Sequence, residues 1–147
     1  MTALSIAIVV IFYAFQESMK IFSSELSESD VQFETNKAMG RMTRELKNGL
    51  EITSAGATSI SFWWKDLNGN GTREAAETVT YTWSGGTFEV LNRTQGSSTV
   101  IIANSIKGLS LTYDSVLPNT KLITIRITAL KGTLLGTLES SVKCRNL

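Results

Sequence analysis

Histidine is absent from the sequence and cysteine occurs once, at Cys144. Without histidine the commonest general base and the commonest zinc ligand are missing, and one cysteine forms neither an internal disulfide nor a cysteine metal cluster. These absences remove the machinery of most enzyme classes, and no enzymatic activity is expected. An excess of charge is lacking too, with 14 Lys and Arg against 13 Asp and Glu. No overall field draws the chain to nucleic acid, and no nucleic-acid partner is expected. The single proline is Pro118, so no proline interrupts a helix anywhere before it. What remains is a chain of 147 residues, 42% hydrophobic, with no internal repeat or low-complexity tract, enough for one domain with a real core.

Charge is missing altogether from the first fifteen residues, MTALSIAIVVIFYAF. As a helix this run rises about 22 Å, short of the roughly 30 Å hydrocarbon core that about 20 residues span. No Lys or Arg precedes it, and the QESMK that follows lacks a small-x-small cleavage pattern, which argues against a secretory signal. A helix buried in a globular core is the other reading, although such helices normally alternate with polar residues facing water.

Beyond Phe15 the apolar residues become periodic. Met19, Phe22, Leu26 and Phe33 fall three, four and seven apart, and the period resumes at Met39, Met42, Leu46 and Leu50 with Arg41, Arg44 and Lys47 on other faces. The pattern predicts one helix from near Thr2 to about Asn48, about 70 Å long, ended by Asn48-Gly49. Phe22, Leu26 and Phe33 are expected to form its apolar stripe, and Glu25, Glu28 and Asp30 to face solvent. Three segments result: residues 1–21, an apolar half-helix for a membrane or filament core; residues 22–50, an amphipathic half-helix; and residues 51–147, an antiparallel β-sheet head.

In the head, β-branched and aromatic residues alternate between Gly, Asn and Asp, the mark of antiparallel strands and hairpins. Strands are expected at Thr58 to Trp64, Thr78 to Trp83, Thr87 to Leu91, Ser98 to Ile102, Leu109 to Tyr113, Leu122 to Ala129 and Thr137 to Cys144, with a tight turn at Ser84-Gly85-Gly86. The fold class is α+β, a long N-terminal helix packed on an antiparallel sheet. The faces carrying Val79, Tyr81 and Trp83 and carrying Ile123, Ile125 and Ile127 are expected against the helix. Trp63 and Trp64 are adjacent, so on a strand they point to opposite faces and only one is expected in the core.

One stretch, DLNGNGTREAAE from Asp66 to Glu77, matches the calcium-loop pattern D-x-[DN]-x-[DN]-G-x5-E. In that pattern Asp66, Asn68 and Asn70 supply side-chain oxygens at places one, three and five. Gly71 makes the sharp turn, Thr72 offers its backbone carbonyl, and Glu77 is the bidentate ligand. The flanking helices of such loops are missing and asparagine stands twice for aspartate, so calcium would bind weakly, at about 10⁻⁴ to 10⁻³ M. The competing reading is a hairpin loop whose Asn-Gly pairs serve backbone geometry alone.

Four stretches carry a family resemblance. MTALSIAIVVIFYAF looks like the apolar part of a prepilin N-terminal segment. AMGRMTREL (Ala38 to Leu46) resembles the helix motif before the sheet in minor pilins of the W and J types, and LESSVKCRNL (Leu138 to Leu147) resembles the ending of that group. FWWKDLNGNGTREAAETVTYTWSGG looks like the hairpin that follows the helix there. Together the chain resembles type IV pilins and the pseudopilins of type II secretion.

The resemblance implies a pilin-like fold and a structural subunit, held by its N-terminal helix as a single pass in the bacterial inner membrane. From there it would assemble into a cell-surface or periplasmic filament with copies of itself and other pilin-like subunits. It further implies methylation of the mature N-terminus and, for a pseudopilin, a part in protein transport. Ala3, Leu4, Ile6, Ala7, Ile8, Val10, Ile11, Phe12 and Phe15 would lie in the membrane or filament core. The glycine and following glutamate of the family's Gly-Phe-Thr-Leu-x-Glu segment are not visible, Ser5 standing where the glutamate would fall if Met1 were the mature end. The expectation is that numbering begins inside that segment, about six residues short of a full span. A monomeric membrane-tethered binding domain with a calcium-stabilised loop is the alternative.

Overall fold

A computed structural model of the chain describes residues 2–86 and 89–144, with side chains from residue 11 onward. Helix α1 runs without a break over Thr2–Lys47, 46 residues. Its many hydroxyl residues are accommodated by bonding back to the preceding turn: Ser18 to the Ala14 carbonyl, Ser27 to that of Ser23, and Thr35 to that of Val31. Arg44 and Lys47 sit in the last turn, where cations meet the negative end of the helix dipole. The helix closes with Asn48 N–H donating to the Glu45 carbonyl and Gly49 N–H to that of Leu46. Gly49 is there for space: a Cβ at that position would stand 3.0 Å from the Phe62 ring.

Among the described residues eight strands follow in two antiparallel sheets. The first contains β1 (Glu51–Ala55), β2 (Ser59–Trp63), β3 (Thr78–Ser84), β4 (Val90–Gln95) and β5 (Ser98–Ala103) in chain order; the second contains β6 (Ile106–Tyr113), β7 (Leu122–Lys131) and β8 (Leu134–Lys143), also in order. Every paired strand is therefore a neighbour in sequence. The sheets are joined by bonds that bypass strand pairing: Leu111 N–H donates to the Ala57 carbonyl, Tyr113 Oη to that of Gly56 at 2.9 Å, and Trp83 Nε1 to that of Ile106 at 2.8 Å.

The helix lies across the inner faces, chiefly against β7 and β8 and also touching β5. Val31, Ala38, Met39, Met42 and Leu46 of α1 join Ile60, Phe62, Val79, Tyr81, Leu91, Ile123, Ile125 and Ile127 in one core. Val79, Tyr81 and the three isoleucines of β7 are fully buried on the faces expected for them, while Trp83 is half-buried. On β8, Gly136 allows the helix to approach: a Cβ there would lie 2.5 Å from Val31 Cγ1.

Three features differ from the sequence expectations. Strand β1 is additional; it is an edge strand burying only Ile52, which leaves too little alternation to read. Strand β4 begins at Val90 instead of Thr87, because the connection from Ser84 is not a two-residue turn and passes through positive φ at Gly86 and Glu89. Thr87 and Phe88 lie outside the described residues, as do Arg145, Asn146 and Leu147 of the C-terminal motif. Phe22, Leu26 and Phe33, finally, are more than half exposed.

Candidate functional site

Two faces of α1 carry apolar residues, and they point in opposite directions. Ile11, Phe12, Phe15, Met19, Phe22, Leu26 and Phe33 recur at three-, four- and seven-residue steps, which holds them on one side of a helix turning 100° per residue. All of them are more than half exposed. From Phe33 to Met42 is nine residues, about two and a half turns, so the buried face made by Val31, Thr35, Ala38, Met42 and Leu46 looks the other way. Beyond Phe33 the outward side becomes Lys37, Gly40, Arg44 and Lys47, all exposed. An apolar row of this length, from Ile11 to Phe33 about 33 Å, exceeds the scattered exposure of ordinary surfaces and marks a contact surface. Ala3, Leu4, Ile6, Ala7, Ile8 and Val10 lie on α1, but their side chains are outside the described set. Among the described residues no helix is long and apolar enough to cross a membrane.

The loop between β2 and β3 is the second candidate. Asp66 closes it from within, its Oδ1 accepting from Gly69 N–H at 2.7 Å and its Oδ2 from Gly71 N–H at 2.8 Å. Asn68 Oδ1 accepts from Asn70 N–H at 3.1 Å, and Asn70 Oδ1 from Thr72 N–H at 2.7 Å. Gly69 and Gly71 take φ of +71° and +69°, which glycine adopts without a Cβ penalty. Both asparagine amides donate to Glu74 Oε1, at 2.9 and 3.0 Å. Half-buried Asp66 and exposed Asn68 and Asn70 are hard-oxygen donors, each oxygen keeping a lone pair beyond the bond it already accepts.

Glu77 is placed differently. It is fully buried at the base of the loop, with Oε1 accepting from Leu67 N–H at 2.6 Å and Oε2 from Trp63 Nε1 at 3.2 Å and Glu74 N–H at 3.3 Å. To chelate a cation it would have to give up these partners. Among the described residues no three acidic, histidine or cysteine side chains are gathered closely enough to hold a metal. Asp66, Asn68 and Asn70 thus remain the side chains that could offer oxygen to a cation, whereas Glu77 already fastens the loop to β2.

Sequence reasoning missed a buried polar cluster. Glu45 of α1 accepts from Arg93 Nε at 2.8 Å, Tyr81 Oη at 2.8 Å and Arg41 Nε at 3.2 Å; Arg93 also reaches Gln95 Oε1 and stacks over Trp64. Burial opposes the Glu45 charge, but the bonds from Arg93 and Tyr81, then the Arg93 charge and Arg41, outweigh it and hold the carboxyl below its ordinary value. Burial, reinforced by Glu45, pushes the Tyr81 hydroxyl up. The only signal in sequence was Arg93 at an inward place one step from Leu91 on β4. Trp63 and Trp64 do occupy opposite faces; Trp64 packs on the core and Trp63 holds Glu77, and both are half-buried.

With this geometry in hand, comparisons with protein-family models, with curated proteins and with solved structures gave no significant match.

Proposed function

We propose that the protein is a structural subunit of a type IV pilus-like filament, a pilin, minor pilin or pseudopilin, held by α1 in the bacterial inner membrane before assembly. The observation that carries this reading is the apolar row from Ile11 to Phe33 on the side of α1 turned away from its own sheets. Such a row is unfavourable in water and can be covered in two settings, by lipid and by neighbouring helices. A head that covers only half of its helix leaves the other half for those partners. The resemblance of the N-terminal segment, of AMGRMTREL and of the C-terminal motif to pilins points the same way.

The test is to purify the full chain in detergent and withdraw the detergent. Light scattering and electron microscopy are expected to find elongated polymers, with a shorter chain beginning at Phe22 remaining soluble and folded. A stable detergent-free monomer of the full chain would refute the proposal. The second reading, a membrane-tethered monomeric binding domain with a calcium-stabilised loop, is favoured by the Asp66, Asn68 and Asn70 oxygens at the loop surface. It predicts a monomer in detergent and a calcium-dependent rise in melting temperature.

A further inference from the structure

Among the described residues the two sheets end in four edge strands, β1 and β5 in one and β6 and β8 in the other. An edge strand offers unpaired backbone N–H and C=O groups to any extended chain, and proteins usually blunt it with charge, a bulge or a cover. Three of the four are blunted here. Strand β1 begins with Glu51, which pairs with Arg73, and it bulges between Ile52 and Ser54. Strand β6 carries Lys107, bulges between Ile106 and Gly108, and gives its Leu111 N–H to the Ala57 carbonyl. Strand β8 carries Glu139 and Lys143 and has α1 packed against it.

Strand β5 has none of these devices over its first four residues. Ser98, Thr99, Val100 and Ile101 are exposed, Val100 at 50% and Ile101 at 53%. They pair with Gln95, Thr94, Arg93 and Asn92 of β4 in unbroken register, and the bulge of that pair lies beyond Ile101. From Thr94 to Ile106 the sequence holds neither charge nor proline. An edge that is regular, β-branched and uncharged is a template for another strand. Beside Val100 an open depression lined by Leu67, Ala76, Arg93 and Gln95 offers apolar surface to that strand, Leu67 being more than half exposed.

The occupant that fits is β5 of a second copy. Two-fold pairing sets identical residues near one another, so a charge on the edge would meet its like, and this edge has none. Antiparallel geometry also limits the register. Alternate residues of an edge strand turn their N–H and C=O outward, and outward residues must face outward residues. A strand laid antiparallel on itself therefore centres on a residue and not between two. Centred on Val100, the register takes in Ser98 to Ile102, with Val100 opposite Val100 and Thr99 opposite Ile101 in both directions. We infer that two copies of the head pair in this way about a two-fold axis at Val100, joining their sheets edge to edge. The contact is isologous and closes with two copies, and it uses the head alone, so it does not depend on the filament reading. A strand contact this short is small beside the roughly 1,200 to 2,000 Å² of stable interfaces, so the pair is weak and depends on local concentration.

The test uses the full chain with Cys144→Ser, held in mild detergent and gently oxidised. Val100→Cys is expected to give a covalent dimer on a non-reducing gel, about tenfold more than Val116→Cys, a highly exposed position in the β6–β7 connection that reports random collision. Neither Thr99→Cys nor Ile101→Cys should link to itself, because each lies two residues out of register with its own copy, beyond disulfide reach; the two chains mixed should link. Ile101→Lys added to the Val100→Cys chain should lower the dimer about tenfold, and Thr99→Glu added to both, which sets Glu opposite Lys in each cross-strand pair, should restore it. Melting of the head in every variant checks that folding is intact. A folded Val100→Cys chain that links no better than Val116→Cys, or a Thr99→Cys chain that links to itself instead, would overturn the pairing.

Discussion

The two halves of α1 are built from similar residues and meet different fates. In the lower half Val31, Ala38, Met39, Met42 and Leu46 are buried in the core and Met42 fully so; from Ile11 to Phe33 the apolar row is bare, Phe22 at 57% exposure. Propensity does not separate them, since both are continuous helix. Position along the helix does: among the described residues none from Ile11 to Asp30 is buried on any face, Tyr13 and Ile21 included, although Ile21 stands five whole turns from the buried Met39. An amphipathic pattern thus says that a face will be buried, and the reach of the head along the helix says whether the chain buries that face itself.

Substitutions sharpen this contrast from opposite ends. The largest expected effect is a double dissociation. Phe22→Glu with Leu26→Glu should abolish polymer formation by light scattering while changing head stability by no more than about 0.5 kcal/mol. Met42→Glu should unfold the head, read by circular dichroism. Equal loss of stability from both would erase the distinction between the halves.

Next come the contacts that fix the lower half. Glu45→Ala leaves the Arg93 guanidinium buried without its carboxylate and should cost about 3 to 5 kcal/mol in urea unfolding. Ile125→Ala, which opens a cavity under α1, should cost about 2 to 5 kcal/mol. Gly136→Ala should cost about 1 to 3 kcal/mol by forcing Val31 away, and Val31→Ala in the same chain should recover part of it. Strict additivity of that last pair would mean that helix and strand are not in contact there.

The same clamp sets a pH dependence. The Glu45 carboxyl is held below its ordinary value in the fold, so its contribution is complete above about 4.5, the unfolded value, and is lost as pH falls through the folded one. Tyr113 is shifted by burial in the opposite sense, up to about 12. Its contribution is complete below the unfolded value of 10.0 and disappears as pH rises toward about 12. Melting temperature against pH should therefore fall at both ends, and Glu45→Gln should flatten the acid limb.

The smallest effect concerns the Asp66 to Glu77 loop. Millimolar calcium at the expected weak affinity should stabilise the head by about 1 kcal/mol. Glu77→Gln should lower the melting temperature even without metal, because both of its oxygens accept hydrogen bonds. A calcium response that survives this variant would assign the binding to Asp66, Asn68 and Asn70 alone. No response in the unsubstituted chain would leave the loop a turn.

The long helix and most strands were legible because their signals are local. A helix without proline announces its length, and Ile123, Ile125 and Ile127 alternate plainly. That a turn stands within Asp66 to Glu77 was legible for the same reason, since its Asx turns join residues only two to five apart. The Glu45 cluster was not, because its bonds to Tyr81 and Arg93 span 36 and 48 residues and an arginine at an inward strand position breaks the apolar alternation. Nor was the point near Val31 from which the head covers α1, because it is set by contacts with β7 and β8, about a hundred residues further along the chain.

The order of the strands has a consequence for how the chain acquires its shape. Each strand pairs with the one before it, so both sheets can grow hairpin by hairpin with little loop-closure entropy. The docking of α1 is the exception, because the strands that cover it, β7 and β8, are the last of the eight. During synthesis α1 waits for β7 and β8, and until Leu134 to Lys143 has been made the face that they cover is open as well. The nascent protein is therefore most prone to non-native association in that interval.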